Sequence, residues 1–296
     1  MIWTYTFVKS KLQSKDADSL DELEKLAEET DWLWVDCFEP DDEELRTIAE
    51  LIKEDKIINA IKTKQIFSQY EKINEHVLIP LILISLKEKL KTHPIYVLTN
   101  EKTFITIRNE DASKLINNTL KTFQDCIMKV KCETASSFVI SRLFHEITNQ
   151  NLETIMALRN RIDEIEEKAL AKPADKKISK TVFKFKREIS TLERIFWVQK
   201  ELMLTIKEGI IPTIQTSEID RQTLTHAINN VSRELSLISS HNNALDSILR
   251  LQDLGMIHRV ERVLIYLTLV TIFEHFHDSL GNGLIANLTG ICISDF

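Results

Sequence analysis

Glycine and proline are scarce in this chain, five of each among 296 residues. Both residues punctuate turns and break elements, so their scarcity excludes a fold made of many tight turns and predicts long helices. Cysteine is also sparse. Cys37, Cys126, Cys132 and Cys292 show no CxxC spacing, and no signal peptide is read ahead of them. That pattern excludes a disulfide scaffold and is the expectation for reduced thiols in a cytoplasmic compartment. No excess of positive charge exists: 38 Lys and Arg stand against 45 Asp and Glu, a net charge of −7. Such a chain does not neutralise a phosphate backbone, so nucleic acid is not an expected partner. No P-loop, GxGxxG, HExxH or GxSxG occurs. Without a catalytic constellation to argue from, an enzyme is not expected.

Long hydrophobic runs are missing too. A bilayer-spanning helix needs roughly 20 consecutive apolar residues. The segments 263–273, 284–293 (LIANLTGICI) and 77–86 (VLIPLILISL) all fall short of that, and the third contains Pro80 and reads as a buried strand. Apolar residues at 43% and charged residues at 28% match an ordinary soluble composition.

What the chain does have is a change of character near residue 110. Ahead of it, IWTYTFV and WLWVDCF read as strands, rich in aromatic and β-branched residues. SLDELEKLAEE reads as a helix capped at Ser19, with Leu20, Leu23 and Leu26 on one face. EPDDEELRTIAELI reads as a helix opened by Pro40, with acids in the first turn where the helix dipole favours them. KQIFSQYEKINEHVLIPLILISLKE reads as two strands joined near residues 73–75, and PIYVLTNEKTFITIRNE as a hairpin turning at 100–102. Beyond residue 109 the pattern is helical. ETASSFVISRLFHEITNQNLETIMALRNRIDEIEEKALAK spaces its apolar residues as one long helix that Pro173 ends, and residues 176–204 return as its partner. From 217 to 273 there is no proline and one glycine, Gly255. A helix that long suits a stalk or an oligomeric bundle, where self-association buries the apolar stripe.

The acidic clusters are candidate sites for hard cations, which prefer carboxylate and water oxygen. They are Asp16, Asp18 and Asp21; Asp41, Asp42, Glu43 and Glu44; and Asp163, Glu164, Glu166 and Glu167. Each also reads as a solvated helix face. The EHFHD segment offers His275 and His277 with flanking carboxylates, but residues two apart on a helix do not share a face.

The order of these parts, with WLWVDCFEPDDEELRTIAELI near the start and LDSILRLQDLGMIHRVERVLIYLTLVTIF near the end, resembles the CorA-type magnesium channel family. The expected architecture is an α+β N-terminal domain, a mixed sheet with flanking helices, followed by a long-helix stalk with an incomplete membrane region. Its expected parts are 1–132 as the cytoplasmic α+β domain and 133–212 as a helical hairpin. Residues 213–273 form a stalk helix entering a partial first transmembrane segment, and 274–296 an atypical tail. The resemblance implies transport of Mg²⁺ and other divalent cations by a homo-oligomer, a pentamer, whose long helices surround an axial pore. It implies a cell-membrane location with a large cytoplasmic domain, contact with membrane lipid if the first span inserts, and gating by regulatory Mg²⁺ on cytoplasmic carboxylates. Asp16, Asp18, Asp41 and Asp42 are the candidates for that ion. Leu254, His258, Glu261, Ile265 and Ile272 are the candidates to line the pore.

The sequence departs from the family after Phe273. Glu274, His275, His277 and Asp278 interrupt the apolar run, and a charge near the centre of a lone membrane helix costs roughly 2.5–3.5 kcal/mol. Gly281, Asn282 and Gly283 stand where the family's Gly-Met-Asn belongs, without matching it, and no second span is read. Two origins account for the break: a shifted coding frame after codon 273, or a natural derivative that keeps the sensor and has lost the pore. Two functional rivals follow. One is a soluble oligomeric Mg²⁺ sensor or scaffold that transports nothing and resides in the cytoplasm. The other is an unrelated coiled-coil adaptor.

Overall fold

The computed structural model describes residues 1–8, 11–16, 19–62, 70–87 and 89–289. Seven strands and seven α-helices order themselves as β1 (Ile2–Val8), β2 (Lys11–Asp16), α1 (Leu20–Glu29), β3 (Trp32–Phe38), α2 (Asp42–Ile52), α3 (Lys56–Lys62), β4 (Glu71–Ile73), β5 (His76–Leu86), β6 (Leu90–Thr99), β7 (Thr103–Arg108), α4 (Ser113–Cys126), α5 (Ala135–Ala171), α6 (Lys176–Lys207) and α7 (Glu218–Thr289). The chain divides into two compact units. The first holds residues 1–161 and 187–242, the second residues 162–186 and 243–296.

In the first unit one sheet runs in the order β2-β1-β3-β7-β6-β5-β4. Every neighbouring pair is antiparallel except β3 with β7, which are parallel. The α+β expectation therefore holds, and the sheet is mixed. Ser19 caps α1 as read, accepting the amide of Glu22. α2 begins at Asp42 rather than at Pro40: Asp41 is its N-cap and forms a reciprocal capping box with Glu44, while the acids of the first turn stand where they were read. Lys53, in the left-handed region at φ 59°, ends α2.

One face of the sheet buries Leu33, Val35, Leu98 and Ile105 in the same core as Leu23 and Leu26 of α1 and Leu45, Ile48 and Ile52 of α2. Trp32, Trp34 and Phe104 are also fully buried, and a chain of ring contacts links Trp32 to Phe123 of α4 and Phe123 to Phe138 of α5. β5 is buried from residue 76 to 84, which explains why it reads as an unbroken apolar run rather than an alternating one. Pro80 is tolerated there because β4 pairs only with residues 76–78, so from Ile79 onward β5 has a single neighbour, β6. Helix side chains cover that edge. Asn151 of α5 accepts from the Ile84 amide at 2.8 Å and donates to the Ile82 carbonyl, which also accepts from Gln199 of α6 at 2.9 Å.

Three elements differ from the sequence reading. α3, over Lys56–Lys62, was not read. β2 was not expected, because KLQSKD has little apolar alternation; it exists by pairing along its whole length with Trp3–Val8 of β1. And α7 does not stop at Phe273 but continues to Thr289. The reading of a strand beginning near residue 64 lies outside the described residues, and only the short β4 follows.

In the second unit α5 ends at Ala171 and α6 begins at Lys176. Gln252 of α7 holds the connection. Its side-chain oxygen accepts the Asp175 amide at 2.8 Å, and its nitrogen donates to the Ala169 and Lys172 carbonyls, groups left orphaned where α5 ends. One turn on, a Cβ at Gly255 would lie 2.5 Å from that of Pro173, so the turn sits directly against the backbone of α7.

Candidate functional site

The first unit presents a cleft of about 760 Å³, lined by Glu39, Asp42, Lys62, His93, Arg108 and Asp111 among others. Most of its charged groups are paired. Asp42 meets Lys62 at 2.7 Å, His93 meets Asp111 at 2.9 Å, and the Arg108 guanidinium grips the buried Asp36 at 2.8 Å. Thr106 donates a further bond to Asp36 at 2.7 Å, and Arg108 lies over the rings of Phe38 and Trp3. This is a structural network, satisfied from within.

The acidic candidates sit as follows. Asp41 spends its carboxylate on the amides of Glu43 and Glu44, both at 2.9 Å. Asp42 is exposed, and the Lys62 ammonium beside it holds its carboxyl below the usual range. Asp16 ends β2, while its side chain and all of Asp18 lie outside the described residues. Among the described residues no group of three His, Cys, Asp or Glu is placed to hold a metal ion, and His275 and His277 gain no such partners.

The other feature is α7 itself. Along it Leu224, Ala227, Val231, Glu234, Ile238, His241, Leu245, Ile248 and Gln252 are buried in steps of three and four, a heptad stripe. Each polar member was invisible as a core residue in the sequence. His241 uses Nε2 against the Ile155 carbonyl at 3.0 Å. Glu234 has no hydrogen-bond partner for either carboxylate oxygen, and burial pushes its carboxyl up to about 8.

Beyond Gln252 the stripe ends and α7 stands open. Every residue from 256 to 277 is exposed, including Val263, Leu264, Ile265, Leu267, Leu269, Val270, Ile272 and Phe273. The threonines that interrupt the run are satisfied inside the helix: Thr268 donates to the Leu264 carbonyl at 2.8 Å and Thr271 to that of Leu267 at 2.7 Å. The stretch is therefore more apolar than its composition suggests. The pore candidates Leu254, His258, Glu261, Ile265 and Ile272 share one face of this segment and are all exposed. Leu254 is two residues past Gln252, roughly 200° around the helix, so this face points away from the helix's own hairpin. His258 and Glu261 are linked at 3.0 Å. No helix among the described residues is long and apolar enough to cross a membrane.

A mixed-sheet domain, a long helical hairpin and a long helix with an exposed apolar stretch at residues 263–273 define the class of fold. The model of the CorA-like Mg²⁺ transporter proteins matches residues 29–273, and the chain belongs to that family. The match stops at Phe273, where the sequence changes character. The chain is similar to the cobalt/magnesium transport protein CorA of Methanocaldococcus jannaschii, at 20% identity over 81% of this chain and 74% of that protein. Its fold resembles the complete structure of the CorA magnesium transporter from the same organism, with a TM-score of 0.72 and 17% identity over 100% of this chain and 88% of that one. It also resembles the ZntB cytoplasmic domain from Vibrio parahaemolyticus, with a TM-score of 0.55 and 11% identity over 88% and 98%.

Proposed function

We propose that this chain is a subunit of a homo-oligomeric divalent-cation transporter, moving Mg²⁺ through an axis formed by copies of α7. The carrying observation is the uncovered apolar stretch 263–273 in a chain of this family. An exposed apolar surface of that extent is stable in water only when something covers it. Neighbouring copies would cover the face that carries Leu254, His258, Glu261, Ile265 and Ile272, and lipid the remainder. Five copies is the number carried over from the resemblance. Transport of this kind is electrodiffusion, with no covalent intermediate.

Regulation by Mg²⁺ belongs to the same proposal. Hard cations take several oxygen ligands, and no described cluster within one chain supplies them, so the regulatory ion would be held between copies. Asp42 is more available than Asp41, which is occupied in its helix cap; a divalent ion at Asp42 would displace Lys62.

The test is to reconstitute the full chain into liposomes and follow Mg²⁺ entry with an internal indicator, beside an alkaline wash of membranes from expressing cells. Flux above that of empty liposomes, with retention after the wash, is expected. No flux and complete release would refute the proposal. That result would favour the second reading, an oligomeric Mg²⁺ sensor or scaffold without transport. The interruption of the apolar run by Glu274, His275, His277 and Asp278 supports this rival.

A further inference from the structure

The second unit carries a concentration of charge opposite to that of the whole chain. Between residues 168 and 186 there are seven lysines and one carboxylate, Asp175, in a protein of net charge −7. Asp175 is engaged, accepting the Lys177 amide at 2.8 Å as it starts α6. Lys186 is engaged as well, against Asp246. Lys172, Lys176, Lys177 and Lys180 are exposed, and none is in an ion pair among the described residues. The acids Asp163, Glu164, Glu166 and Glu167 lie further back on α5, more than one turn before the turn itself.

The fold places this charge at a particular level of α7. Lys186 meets Asp246, the connection meets Gln252, and Pro173, inside the turn, meets Gly255. The hairpin therefore points along α7 toward its open apolar end. From Gly255 to Val263, where that run begins, is eight residues, roughly 12 Å along the helix. This distance is close to the Debye length of about 8–10 Å at ordinary ionic strength, and lysine side chains shorten it. Beside the turn a groove of about 500 Å³ is lined by Lys176 and Lys180, by the carboxylate Asp253, and by the apolar Phe183, Leu249 and Met256 among others. Phe183 is 60% exposed, and Leu170, just before the turn, is 62% exposed.

We infer that the α5–α6 turn is a docking surface for an anionic bilayer. Lys172, Lys176, Lys177 and Lys180 face the phosphate headgroups, and Phe183 and Met256 receive the edge of the acyl layer. Charge complementarity commits the occupant: cations clustered beside an apolar helix end are the usual signature of attraction to acidic lipid. The inference rests on the reading that residues 263–273 seat in lipid, because that seating brings the turn to the surface. Each lysine near an anionic surface contributes on the order of fivefold in partitioning, so four of them should give at least about tenfold after losses to imperfect placement.

The experiment is flotation of the full chain with vesicles of phosphatidylcholine alone, or of phosphatidylcholine mixed equally with phosphatidylglycerol. The wild type is compared with a variant in which Lys172, Lys176, Lys177 and Lys180 are all replaced by Gln. All four side chains are exposed, so the variant should fold, and a helical circular dichroism spectrum checks this. We expect the wild type to favour the acidic vesicles by about tenfold, the preference to vanish in high salt, and the variant to bind both compositions as the wild type binds the neutral one. Equal binding to both vesicles, unchanged in the variant, overturns the inference and leaves lipid seating of α7 intact. Salt-sensitive binding to acidic vesicles alone upholds the docking surface and removes the seating. No binding to either removes both.

Discussion

Glu234 gives the sharpest quantitative expectation. It occupies a heptad core position of α7, is fully buried, and neither carboxylate oxygen has a hydrogen-bond partner. Desolvation is the only cause acting on its carboxyl, which rises from 4.5 to about 8. An unfolded Glu234 releases its proton near 4.5, so between that pH and 8 the folded state binds more protons than the unfolded one. Stability from this group is therefore fully present below 4.5, is lost as pH rises, and reaches its floor above 8. At about 1.4 kcal/mol per unit, the cost already incurred at pH 7 is on the order of 3 kcal/mol. Glu234→Gln keeps the shape and removes the ionisation, so it should match the wild type near pH 4.5 and exceed it by up to about 3 kcal/mol at pH 7. Urea unfolding of both proteins at several pH values between 5 and 8 measures this. Parallel pH profiles for the two would refute the reasoning, since Glu234 would then ionise as easily folded as unfolded.

Three further expectations follow from the packing. Arg108→Met should destabilise the first unit by about 3–5 kcal/mol, because it strands the buried Asp36, and adding Asp36→Leu should recover much of that loss in a denaturation series. Gly255→Ala should cost about 1–3 kcal/mol through the contact with Pro173, despite the better helix propensity of alanine. Hydrogen exchange should show the loss at residues 172–178, and a gain in stability there would mean the turn is not held against α7. Leu267→Asp places a charge inside the exposed apolar stretch, and should release the chain from alkaline-washed membranes without altering the amide protection of the β-sheet.

Much of this architecture was legible from residue order. Ser19, the acids after Pro40, and Pro173 mark helix ends by chemistry that acts within a few residues; Ser19 and Pro173 do so where they were read, and α2 starts two residues after Pro40, on the cap that Asp41 forms with Glu44. The apolar run of β5 and the turn at residues 100–102 are equally local. The scarcity of glycine and proline foretold α5, α6 and α7. The family was legible for a related reason: the strand WLWVDCF, the acidic helix after it and the long stalk are ordered along the chain. The continuation of α7 beyond residue 273 was not read, because charged residues and two glycines weaken the pattern without forbidding a helix.

Other features exist only because distant segments meet. Asp36 and Arg108 are 72 positions apart, and nothing near either one announces a buried ion pair. The strand character of β2 is conferred by β1, since its own residues carry little preference. Glu234, His241 and Gln252 look like surface residues until α7 is placed in the heptad stripe that buries them. Gly255 looks like a weak point in a helix until Pro173 is seen against it. The metal candidates show the same division: the sequence could identify carboxylates, but the fold committed Asp41 to a cap and Asp42 to a lysine. The sequence by itself thus determined most of the elements and their order, because caps, breakers and hydrophobic period act over a few residues. Tertiary structure alone decided which polar groups are buried and which apolar face is left uncovered, because burial depends on what the rest of the chain brings alongside.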